Sequence, residues 1–109
     1  MTATFRDARQ IISAAITAME KAEDFATGHQ QLELLDIIED LRKERIKIDV
    51  DALANSNQTY EALTDDIKDA KRKLDELTDE IKALIHAAEQ AAQVAGALAK
   101  LVQLAAGIV

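Results

Sequence analysis

An all-α fold, drawn out as a long antiparallel helical hairpin with coiled-coil packing, is predicted by three features of this 109-residue sequence. First, Tyr60, Leu63, Ile67, Ala70, Leu74, Leu77, Ile81, Leu84, Ala88, Ala91, Ala95, Leu98, Val102 and Ala105 follow an unbroken alternation of three- and four-residue steps, the spacing of a heptad seam. Second, the chain has no proline, three glycines and 49% apolar residues, a composition that favours helix. Third, charge is segregated. Residues 1–22 carry three basic and two acidic groups, residues 23–80 eight and seventeen, and residues 81–109 two and one. The two nearly neutral ends match each other, which suits a chain folded back on itself.

The first helix is expected over residues 4–25. Phe5, Ala8, Ile12, Ala15, Met19, Ala22 and Ala26 continue a heptad, widened by Ile11, Ile16 and Ala18. Arg6 and Arg9 precede an apolar run, but Ser13 and Thr17 interrupt that run and Asp7 spoils the basic region, so a secretory signal is not expected. The expected location is cytoplasmic, with leaderless secretion as the other route.

Gly28 suits the position just past a helix end, and Thr27 with Gln30 has the spacing of a capping box that restarts the helix, so a kink is expected there. A second helix over residues 29–54 follows Leu34, Ile38, Leu41, Ile48 and Ala52, with Arg45 in a seam position and its charge directed towards Asp65, Asp66 or Asp69. Asn55-Ser56-Asn57 is the densest turn signal, with Asp49–Asp51 a weaker one. A third helix is expected over residues 58–106. Its flanks are polar as far as Glu80 and become apolar from Ile81 onward, with Ile85, Val94, Leu101 and Ile108 beside the seam.

In the hairpin, helix one pairs with the last thirty residues and helix two with the charged half of helix three. The other arrangement folds helix one back at Gly28, giving a three-helix bundle with a protruding C-terminal helix. In the hairpin the widened apolar face stays wet, so a second copy or another helical protein is expected to cover it and complete a four-helix bundle. The expected assembly surface is Ile11, Ile12, Ile16, Ile85, Val94, Leu98, Leu101 and Ile108. Small residues, Ala87, Ala91, Ala95 and Ala99 with Gly96 nearby, would let backbones approach closely there.

No catalytic residue, metal ligand or cofactor site is expected. Only three aromatics are present, too few to line a small-molecule site, and cysteine is absent. The pairs His29 and Glu33, and His86 and Glu89, lack the Glu-x-x-His order of di-metal bundles. The carboxylates Glu33, Asp36, Glu39 and Asp40 are followed by Arg42, Lys43 and Lys47, as on an exposed helix. A net charge of −7 argues against nucleic acid, since the basic group Lys68, Lys71, Arg72 and Lys73 is enclosed by acids.

The expected outline is similar to the small secreted helical hairpins of WxG type, but with no tryptophan the chain lacks their turn motif, and no family is assigned. The function expected is non-catalytic: an oligomerising helical scaffold or protein-binding module, that is, a structural subunit, adaptor, chaperone or immunity-type binder, with a dimer favoured. The alternative is a membrane-active protein that uses the alanine-rich C-terminal helix, although Gln90, Gln93, Lys100 and Gln103 keep a polar stripe along it.

Overall fold

Thr4 starts the first helix with a reciprocal pair of bonds. Its hydroxyl accepts from the Asp7 backbone N–H at 3.2 Å, and the Asp7 carboxylate accepts from the Thr4 N–H at 3.0 Å. This capping box satisfies an otherwise orphaned helical N–H and puts a negative charge in the first turn. Hydrogen bonding to the carboxylate, from the Thr4 backbone foremost and then from the Thr4 side chain, holds the Asp7 carboxyl below the ordinary carboxylate range. The computed structural model describes residues 3–51, 57–84 and 88–106. Among these residues it is helical apart from connections and one isolated bridge: α1 (Phe5–Glu23), α2 (His29–Asp51), α3 (Asp66–Leu84) and α4 (Ala88–Ala105).

Gly28 makes the first reversal. Its φ of +60° lies in the left-handed region, which glycine enters without a Cβ penalty. Its carbonyl then accepts from the Leu32 N–H, so Gly28 rather than Thr27 opens α2. The chain therefore folds back here instead of kinking and continuing. The polar pairs between α1 and α2 run in opposite order along the two helices: Arg9 with Asp49, Ser13 with Arg45, and Glu23 with Gln31. The two helices are antiparallel.

The second departure from the long hairpin lies in its last arm. Residues 57–65 are not helical, and α3 begins only at Asp66, with the Asp65 carbonyl accepting from the N–H groups of Lys68 and Asp69. A continuous helix from Asp66 to Ala105 would be about 60 Å long. The molecule measures 40 × 24 × 19 Å, so α3 and α4 lie side by side rather than end to end. Of the two turn candidates, Asp49–Asp51 is helical, and Asn55-Ser56-Asn57 falls largely outside the described residues.

The four helices touch in a closed ring: α1 on α2, α2 on α3, α3 on α4, and α4 on α1. The pairing of the N-terminal helix with the C-terminal residues, and of helix two with the charged segment, thus occurs with a different connectivity. Nor does the C-terminal helix protrude. One core joins Phe5, Ile12, Ile16 and Met19 to Leu34, Ile37, Ile38, Leu41 and Ile48 of α2, Ile67, Leu74 and Ile81 of α3, and Val94, Leu98, Leu101 and Leu104 of α4. Wide apolar stripes on α1 and α4 are what a closed ring needs, because each helix there has two neighbours to cover.

Arg45 departs from expectation as well. It is half-buried and donates to Ser13 Oγ on α1 at 3.5 Å, because α1 occupies the flank where the hairpin would have placed Asp65, Asp66 and Asp69. Gly96 is exposed, and a Cβ built on it meets nothing within 4 Å, so it marks no close helix approach.

Candidate functional site

Two constellations stand out, one polar and buried, the other apolar and exposed. The buried one centres on Glu44, which has no accessible surface. Its Oε2 accepts from the Tyr60 hydroxyl at 2.8 Å and the Leu63 N–H at 2.9 Å. Its Oε1 accepts from the Thr64 N–H at 2.8 Å and the Thr64 hydroxyl at 2.7 Å. An ionised carboxylate offers about four lone-pair positions. All are taken, which leaves none for a metal, a proton in transit or a substrate.

Glu44 therefore ties the segment before α3 onto α2. The same segment also holds the start of α1. Thr59 bridges Thr4 in antiparallel fashion, the Phe5 N–H donates to the Gln58 carbonyl at 3.0 Å, and the Tyr60 N–H donates to the Ala3 carbonyl at 2.8 Å. The rings of Phe5 and Tyr60 meet edge to face, with centroids 5.5 Å apart and planes at 78°. Burial, then the neighbouring Glu44 charge, pushes the Tyr60 phenol far above its ordinary range.

Asp40 is the other buried carboxylate. It accepts from Lys73 Nζ at 3.0 Å and links α2 to α3. It is thus drawn away from the exposed acidic row expected of Glu33, Asp36, Glu39 and Asp40, of which Asp36 and Glu39 are exposed. His29 lies at the surface, its side chain 85% exposed, and pairs with Glu33 at 2.7 Å; His86 is outside the described residues. Among the described residues no group of three or more His, Cys, Asp or Glu is placed to hold a metal ion. Between α1 and α4 runs an open groove of about 140 Å³, bordered by Thr17, Lys21, Gln93 and Val94. Small-molecule sites are typically ~300–1,000 Å³.

The expected assembly surface is placed very differently. Ile12, Ile16, Val94, Leu98 and Leu101 are buried in the chain's own core, and Ile11 is half-buried against it. Ile85 and Ile108 lie outside the described residues. The excess apolar width that called for a second chain is covered by the ring of helices, so these five buried residues cannot meet another protein without opening the fold. The correction follows from the two reversals: a hairpin has two helices to share the burial, the ring has four.

The exposed constellation is on α2. Leu32, Leu35, Ile46 and Val50 are 62%, 42%, 60% and 72% exposed. At about 100° per residue they fall within a sector of about 60°, roughly 160° from the centre of the face that buries Leu34, Ile37, Ile38, Leu41, Glu44 and Ile48. α2 thus carries a second apolar row, interrupted by charged residues, opposite the face it uses for the core. Isolated exposed apolar residues are ordinary, but four aligned on one helix form a surface. Between the two apolar ends lie Glu39 and Arg42, both exposed. In the sequence this row interleaves with the core stripe of Leu34, Ile38, Leu41 and Ile48, which masks it. The spacing of the row from Leu32, by steps of three, eleven and four, was the available signal.

No helix among the described residues is long and apolar enough to cross a membrane. Comparison with protein families, curated proteins and solved structures finds no match.

Proposed function

We propose that this chain is a non-catalytic helical protein-binding module, a structural subunit or adaptor, that engages its partner through the outer face of α2. The observation that carries this reading is the aligned exposure of Leu32, Leu35, Ile46 and Val50 opposite the core face. Full burial of a Leu, Ile or Val side chain is worth about 1.5–3 kcal/mol, so covering the four gives a partner several kcal/mol before the costs of association. The non-catalytic part rests on the polar chemistry: the most buried carboxylate, Glu44, has its acceptor positions filled, and Asp40 is paired with Lys73. A membrane-inserting role finds no comparable surface on α4, whose Val94, Leu98, Leu101 and Leu104 are in the core.

Photo-crosslinking in the native cells tests the reading. A photoreactive residue replacing Ile46 should yield discrete protein adducts, with this chain or another, while the same residue replacing Arg72 on α3 should not. Absence of any adduct at position 46 would refute the proposal.

A further inference from the structure

Resting on the protein-binding reading, we infer that the occupant of the α2 face is a second copy of this chain, with the two α2 helices antiparallel across a two-fold axis. The row is self-complementary in the order of its central residues, apolar, acidic, basic, apolar. From its N-terminal end it reads Leu32, Leu35, Glu39, Arg42, Ile46, with Val50 one turn further, and all of these side chains are exposed. The spacing from Leu32 to Ile46 is that of two heptads with a and d positions outward. Laid antiparallel on itself about a point between Glu39 and Arg42, the row places Leu35 against Ile46 of the second copy and Ile46 against its Leu35. Glu39 then meets Arg42 of the second copy, and Arg42 its Glu39, in the central layers. On the flank, Asp36 lies opposite Lys43.

The parallel alternative fails on the same residues. It sets Glu39 against Glu39 and Arg42 against Arg42, and like charges in facing positions repel. Within one chain these charges have only loose partners: Glu39 is 3.7 Å from Lys43, and Arg42 is 3.7 Å from Glu20, with all four side chains at least half exposed. They are available to a second copy. A C2 contact of this kind is isologous, so a single face serves both subunits and the assembly closes at two.

The full chain has no cysteine, so single cysteines introduced into it report the register cleanly. Leu35→Cys and Ile46→Cys variants, one isotope-labelled, are mixed and oxidised, and the linked peptides are mapped. The antiparallel pairing gives a 35–46 disulfide between labelled and unlabelled chains, with neither variant linking efficiently on its own. A 35–35 or 46–46 product in place of it, or no cross-link at all, overturns the inference. In sedimentation equilibrium, Glu39→Arg or Arg42→Glu alone should weaken the dimer by about tenfold or more, and the two together should restore it. A parent chain that stays monomeric at about 1 mM overturns it as well. If the chain is monomeric yet position 46 crosslinks to a different protein in cells, the copy-to-copy inference fails and the binding reading stands. If position 46 gives no adduct of any kind, both fail.

Discussion

The hydroxyl of Tyr60 donates to Oε2 of Glu44 at 2.8 Å, joining the segment before α3 to the buried face of α2. Tyr60 also packs its ring on Phe5 at the start of α1. One residue from the connection thereby fixes two helices relative to a third, and the fully buried carboxylate is the hub of that arrangement.

Glu44→Gln should destabilise the fold although it preserves size and removes a buried charge. Each carboxylate oxygen faces a fixed backbone donor, Leu63 N–H on one side and Thr64 N–H on the other. The Gln amide must turn its NH₂ towards one of them and leave it unsatisfied, at a cost of about 1–3 kcal/mol. A lowered midpoint in urea with an unchanged slope is the expected result.

Alkaline pH should act through Tyr60. Its folded pKa is raised above the ordinary 10.0, so the native state holds the phenolic proton more tightly than the unfolded chain. The resulting stability is complete below about pH 10 and is lost progressively as pH rises beyond it. Tyr60 is the only tyrosine and the chain has no tryptophan, so tyrosinate absorbance follows this group alone. The native protein should show no tyrosinate near pH 10 and should gain it as it unfolds. In Tyr60→Phe this component of the alkaline loss should disappear, and at neutral pH the variant should be about 1 kcal/mol less stable for want of the hydrogen bond.

The two described glycines should respond in opposite directions to alanine. At Gly28 the backbone is left-handed, so Gly28→Ala should cost about 1–2 kcal/mol even though there is room for the methyl group. Gly96 is inside α4 with open space at its Cβ position, so Gly96→Ala should stabilise by up to about 1 kcal/mol. Thermal unfolding of both variants beside the parent checks the contrast.

Helix content and the apolar seam were legible because the apolar period is strong on α1, α3 and α4, but the flanking Ile16, Val94 and Leu101 read as a surface for a second chain and are core. Chain reversal was not legible. The three-and-four spacing runs through Leu84 and Ala88 without a glycine, proline or change of phase, and each half keeps its own stripe whether the helices lie end to end or side by side. The first reversal rests on Gly28, whose positive φ a kink does not need. Glu44 was hidden for a different reason. It lies within the charged run Arg42-Lys43-Glu44-Arg45, where the seam can be drawn through either Glu44 or Arg45, and only the donors on Tyr60, Leu63 and Thr64 decide between them. The α2 face was missed because its two apolar stripes overlap in sequence and blur one another.

The chain covers its wide apolar stripe with its own helices and leaves Leu32, Leu35, Ile46 and Val50 of α2 outside that core. Urea unfolding of Leu101→Asp and Ile46→Asp, at concentrations where the parent is monomeric, tests this arrangement most directly. Leu101 is fully buried, so an unpaired carboxylate there should cost several kcal/mol or prevent folding. Ile46 is 60% exposed, and Ile46→Asp should stay within about 0.5 kcal/mol of the parent. The reverse result, with Leu101→Asp as stable as the parent and Ile46→Asp unfolded, would mean that the buried and exposed faces are exchanged.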